Sequence, residues 1–116
     1  MISKPSPAEA FRKAVQELLD ARIEELRRSL TFEAAGAMPQ GQAEDVLITG
    51  REAQLTLYRQ TNPPDLPGAV LVTVQIARFG MGGVTSFKQE KGLVFSPGHA
   101  ARAATTDELL GSGGGT

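Results

Sequence analysis

An alternation of apolar residues between Gly68 and Phe79 is the most regular pattern in the chain. One parity reads Val70, Val72, Val74 and Ile76, all of them β-branched, which is typical of a strand that packs one face on a core. The opposite parity reads Leu71, Thr73, Gln75, Ala77 and Phe79 and is half polar. Because the run has no proline and no charge before Arg78, an edge position would promote aggregation, so the pattern predicts a central strand.

Helical periodicity dominates the N-terminal part of the chain. Ser6 and Glu9 form a capping box with Pro7 at the first helical position, which predicts a helix that begins at Pro7. Apolar residues then recur at spacings of three and four, namely Phe11, Val15, Leu18, Leu19, Ile23, Leu26 and Leu30. The other positions carry interleaved acids and bases, as on a solvated helix face. We therefore expect one long amphipathic helix that continues beyond Leu30 and stops by Pro39 at the latest.

Several shorter segments after residue 45 have strand character. The predicted strands are 46–49, 53–59, 84–90 and 93–96, with a further short edge strand within 101–105. A turn at 50–52 joins the first two, and Lys91-Gly92 divides the next two as a bulge or a turn. The proline-rich segment 62–67 is a stiff loop, and Gly80–Gly83 is a hairpin loop, because no helix follows it to make a phosphate-binding loop. Residues 106–110 look like the cap and first turn of an abortive helix.

This order predicts an α+β fold, because the connections after residue 45 are too short for parallel crossovers. One long N-terminal helix packs on one face of an antiparallel meander sheet of four to six strands. In architecture this arrangement resembles the layout of cystatins. We expect a single domain over residues 6–110, a flexible arm at 1–5 and a flexible Gly/Ser tail at 111–116.

Composition narrows the functional classes. Twelve basic and thirteen acidic residues give a net charge of −1 without any block of like charge, so attraction to nucleic acid or to an anionic membrane has no support. The absence of cysteine removes disulfides, thiolate chemistry and cysteine-ligated metals, and it agrees with a reducing compartment. With no signal peptide and no apolar run of membrane-spanning length, we expect a soluble cytoplasmic protein.

Candidate catalytic residues are sparse. His99 is the only histidine, and it follows Pro97 and Gly98 in a turn without a nucleophile or an acid at an interpretable spacing. The acids Glu52, Asp65, Glu90 and Asp107 are scattered, and no metal-binding loop is present. We therefore predict neither catalysis, nor a metal, nor a cofactor.

A binding surface has better support. If the helix covers the valine face, the other sheet face is nearly uncharged and partly apolar, which is typical of an interaction surface. The predicted interaction residues on this face are Tyr58, Leu71, Thr73, Gln75, Phe79 and Phe87. A second copy of the chain, forming a homodimer, is the favoured occupant, and another protein partner is possible.

Three alternatives stay open. Single-stranded nucleic acid can stack on Tyr58, Phe79 and Phe87 with Arg59 and Arg78 at the rim, although the basic groove of such proteins is missing. A small apolar ligand can lie between helix and sheet. The face can also be an ordinary solvent-exposed surface with a few tolerated apolar residues.

Overall fold

The computed structural model describes residues 6–111. The first element, α1, spans Pro7–Ser29, and the Glu9 amide donates to Ser6 Oγ at 3.2 Å, as the capping box predicts. The helix ends at Ser29 and not beyond Leu30, because Leu30 is extended and Thr31 caps a second helix, α2, over Phe32–Ala37. The Ala34 amide donates to Thr31 Oγ1 at 3.1 Å. A good N-cap residue therefore divides one periodic stretch into two helices.

Five strands form one antiparallel meander in chain order. They are β1 (Gly41–Ile48), β2 (Arg51–Thr61), β3 (Val70–Phe79), β4 (Thr85–Phe95) and β5 (Arg102–Ala103). The predicted α+β architecture is confirmed, with β3 in the centre between β2 and β4. A short helix, α3, follows at Thr106–Gly111. Gly111, predicted as the start of the tail, thus belongs to α3; the predicted arm at 1–5 and residues 112–116 lie outside the described residues.

The β1–β2 and β3–β4 hairpins lie at the same end of the sheet, and both contain residues with a left-handed backbone conformation. Thr49 and Gly50 make a two-residue turn between β1 and β2 with φ of 50° and 78°, so Arg51 and Glu52 belong to β2. This is the turn geometry that matches the twist of the flanking strands. Between β3 and β4, a 3₁₀ turn covers Met81–Gly83. The division expected at Lys91-Gly92 is absent, and β4 is continuous.

The core lies between the sheet and the helices. The valine face of β3 is fully buried, as predicted, and α1 contributes the buried side chains of Phe11, Val15 and Leu19. The short α2 covers the other end of the same face through Ala35, which packs with Val70 and Phe95. These contacts confirm the apolar stripe of α1 as the packing face.

Two ion pairs tie α1 to both sides of the sheet. Arg22 pairs with Glu44 of β1 at 3.0 Å, and Asp20 pairs with Lys91 of β4. Both pairs are partly exposed and contribute little to stability, but they orient the helix across the sheet. Within residues 6–111, no helix has the length and apolar character needed to cross a bilayer.

Candidate functional site

The sheet face opposite α1, called here the second face, holds the predicted interaction residues of β3. Leu71, Thr73 and Gln75 are only 1%, 2% and 5% exposed, so they do not present the contact surface that the sequence predicted. For Leu71 the reason is α3: Leu71 packs in a small cluster with Val94 and with Leu109 of that helix. One end of the second face is therefore covered.

Docking of α3 requires a close approach to β4. A Cβ atom at Gly92 would lie 2.7 Å from Leu109 Cδ2 and 3.2 Å from the Val72 carbonyl oxygen, so a larger residue requires Leu109 to shift. The helix is also held by Glu108, whose carboxylate accepts two hydrogen bonds from Arg102, at 2.6 and 2.8 Å. The Arg102 guanidinium lowers the pKa of Glu108 to about 2. The glycine that the sequence suggested as a bulge is thus a docking position for a helix.

Thr73 and Gln75 occupy the middle of the second face. In the strand register Thr73 lies between Tyr58 and Gly92, and Gln75 lies between Thr56 and Glu90. Burial raises the pKa of Glu90, an effect that nearby Lys88 partly offsets. The buried Oε2 atom of Glu90 has no hydrogen-bond partner in the described part of the chain. This middle region is polar and closely packed.

Phe87 lies on the helix face and not on the second face, which corrects the predicted interaction set. Its ring meets that of Phe11 edge to face, with centroids 5.1 Å apart and planes at 78°. The register places Phe87 opposite Arg78, and a bulge at Arg78/Phe79 changes the pairing beyond it. The register of β4 against β3 therefore determines which β4 side chains pack against α1.

The predicted aromatic platform for nucleic acid is consequently not assembled. Tyr58 is half-buried in the middle of the second face, opposite Thr73. Phe79 is on the same face but six residues from Thr73 along β3, a separation of about 20 Å. Phe87 is on the other side of the sheet.

The open part of the second face lies at the hairpin end of the sheet. Leu47 is 73% exposed and Phe79 is 53% exposed, and both flank Glu52 of β2. Met81 and Val84, in the hairpin that follows Phe79, are also exposed. We call Leu47, Phe79, Met81 and Val84 the exposed apolar patch.

Two shallow cavities border this patch. The larger, of about 450 Å³, is lined by Asp45, Val46, Leu47, Glu52 and Ala53. The smaller, of about 190 Å³, shares three of these residues and extends to Phe79. The surface around the patch is therefore indented, which favours contact with protruding side chains.

The residues considered for catalysis remain dispersed. His99 is exposed in a turn, where its amide donates to the Ser96 carbonyl oxygen at 3.2 Å. Asp65 is exposed in the loop between β2 and β3, and Asp107 is exposed in α3. Glu52 belongs to β2 and Glu90 to β4. In the part of the chain that the structure describes, no three acidic or histidine side chains come together in a group that can hold a metal ion.

The chain was also compared with protein-family models, with curated proteins and with solved structures, and none of the three comparisons finds a match.

Proposed function

We propose that this chain is a small non-enzymatic interaction module that pairs with a second copy of itself through the open part of its second face. The observation that carries this proposal is the exposed apolar patch, in which Leu47 and Phe79 project from the same face at the same end of the sheet. A sheet surface that only water contacts normally carries polar side chains. Large apolar side chains that cluster on such a surface usually mark a contact with another molecule.

Charge supports a second copy as the occupant. One row across the second face reads Asp45, Gln54, Ala77 and Lys88, from β1 to β4. Two copies can pack face to face about a two-fold axis that runs parallel to the strands, between β2 and β3. The row of one copy then lies over the same row of the other copy in reversed order. Asp45 of one copy then lies over Lys88 of the other, and the pairing is repeated by symmetry. This row is thus complementary to itself in charge.

The proposed interface requires a defined share of the accessible surface of the chain. A stable, specific interface buries about 1,200 to 2,000 Å² in total, or about 600 to 1,000 Å² for each copy. The accessible surface of the chain is 7256 Å², so about a tenth of it has to be covered.

We also propose that the protein is located in the cytoplasm, and the absence of cysteine supports this location.

Substitution of Leu47 tests the pairing. We expect the unmodified chain to sediment as a dimer at high micromolar concentration and Leu47→Glu to sediment as a monomer, because the substitution removes an apolar contact and takes an unpaired carboxylate out of water. Leu47 is exposed, so the fold is expected to survive. Thr73, which the sequence placed in the predicted interaction set, is unsuitable for this experiment because it is buried.

Ala34→Glu is the matched control, because it adds the same charge at an exposed position of α2, away from the sheet. It is expected to leave the dimer intact. A strictly monomeric unmodified chain, or a Leu47→Glu variant that remains fully dimeric, contradicts self-pairing through this surface.

A further inference from the structure

A third cavity, of about 230 Å³, opens between the first turns of α1 and the hairpin end of the sheet. It lies on the helix side of the sheet, since Phe11 and Phe87 form part of its wall. Three arginines from three different elements also line it: Arg12 of α1, Arg51 of β2 and Arg78 of β3. Residues far apart in sequence therefore bring three positive charges to one small cavity.

These charges are not compensated by the residues around them. Among the described residues, no acidic side chain lines the cavity. Within residues 6–111, none of the three arginines forms an ion pair, whereas Arg22, Arg27 and Arg102 each pair with a carboxylate.

The nearest acids in sequence do not change this picture. Glu52 follows Arg51, but successive strand residues point to opposite faces, so its side chain is on the second face. Only its backbone carbonyl takes part, accepting a hydrogen bond from Arg78 Nε at 3.0 Å. The remaining guanidinium donors of Arg78 are left for another acceptor.

The ring of Phe11 holds two of the guanidinium groups in place. The Cζ atoms of Arg51 and Arg78 lie 5.7 and 5.6 Å from the centroid of the Phe11 ring, within the range of cation–π contact. Phe11 is 3% exposed and is fixed by its edge-to-face contact with Phe87. Because this ring is buried and packed, the two guanidinium groups are positioned beside it before any ligand arrives, which lowers the entropy cost of binding.

We propose that this cavity binds a phosphate monoester. The planar guanidinium group matches the geometry of phosphate oxygens, and three unpaired cations suit a ligand with nearly two negative charges at neutral pH better than a monoanion. The cavity is smaller than pockets for drug-sized ligands, so it accommodates the phosphate and only a few further atoms. Ala8, in the first turn of α1, borders the cavity, so the positive end of the helix dipole adds to the attraction.

Amide NMR of the full chain, titrated with phenyl phosphate at constant ionic strength, tests this proposal. We expect saturable shifts confined to the first turns of α1 and to the neighbourhoods of Arg51, Arg78 and Ser86. Arg12→Gln is the cleanest variant, because Arg12 is exposed and contacts neither ring in a cation–π pair. Loss of one charged hydrogen-bond donor group is expected to weaken binding by about tenfold.

Arg28→Gln is the matched control, because Arg28 is an exposed arginine near the other end of α1, with 74% of its side chain accessible. It is expected to bind phenyl phosphate as the unmodified chain does. Benzoate serves as a monoanion of similar shape and is expected to bind at least severalfold more weakly. The absence of saturable shifts, an equal loss in both variants, or equal affinity for benzoate overturns the assignment.

Discussion

Glu90 is the residue whose surroundings conflict most clearly with its charge. It lies beside Gln75 on the second face, burial raises its pKa, and its Oε2 atom has no hydrogen-bond partner among the described residues. The folded protein therefore holds the proton of this carboxyl group more tightly than the unfolded chain does. The stabilisation from this difference is fully present below the pKa of the unfolded chain and is lost as the pH rises through the folded-state pKa.

Replacement by glutamine is expected to remove this conflict. Glu90→Gln should raise the free energy of unfolding at pH 7, and the gain should shrink at pH 4, where Glu90 in the unmodified chain binds more protons. Urea unfolding at both pH values, at protein concentrations low enough to avoid pairing, measures the difference. Glu17→Gln, at an exposed position of α1, is the control for the loss of one carboxylate from the chain. A gain that is equal at both pH values contradicts a buried, charged Glu90.

At the scale of elements, α3 depends most on its surroundings. Six residues are too few to form a stable helix in water, so its formation depends on docking against Leu71 and Val94. Thr105 caps it, since the Glu108 amide donates to Thr105 Oγ1 at 3.1 Å. The absence of a side chain at Gly92 provides the space for Leu109. The docking of α3 over this end of the second face therefore depends in part on the absence of a side chain at Gly92.

Gly92→Ala is expected to lower the free energy of unfolding by about 1 to 3 kcal/mol, because the added Cβ overlaps with Leu109 Cδ2 and makes a tight contact with the Val72 carbonyl oxygen. Gly41→Ala is the matched control on the edge strand, where the nearest atom to a Cβ is Tyr58 Cδ1 at 4.0 Å. Thermal unfolding of both variants makes the comparison. Equal stability of the two would show that α3 does not dock against this position.

At the scale of the whole molecule, the sheet separates the two proposed sites. The exposed apolar patch and the arginine-lined cavity are both at the hairpin end, but they are on opposite faces. Phe11 and Phe87 pack between α1 and the sheet, on the face opposite the exposed apolar patch. No side chain of the patch lines the arginine cavity. We therefore expect the two sites to act independently.

The monomeric variant Leu47→Glu should bind phenyl phosphate with an affinity within about twofold of the unmodified chain, since independent sites show no coupling free energy. Arg12→Gln should in turn leave the sedimentation behaviour unchanged. Titration by NMR and sedimentation on the same two variants measure both effects. A large change in either experiment would mean that the sites are coupled through the sheet. Because sedimentation tests the pairing and NMR titration tests phosphate binding, the failure of one proposal does not prevent the test of the other.

Local sequence determined the elements that depend on neighbouring residues. The Ser6 capping box, the apolar stripe of α1 and the alternation in β3 each act over one or two turns or across a single strand, so their patterns are readable and the structure confirms them. The same holds for the meander, because short connections allow only antiparallel neighbours.

Tertiary structure decided the rest, because it depends on pairings between distant residues. Strand register put Phe87 against Phe11 and away from Tyr58, and no local pattern specifies that register. Docking of α3 buried Leu71, which the sequence had placed on an open surface. Arg12, Arg51 and Arg78 are each unremarkable in sequence. They form the proposed anion site only because the first turns of α1, the start of β2 and the end of β3 meet at one end of the sheet.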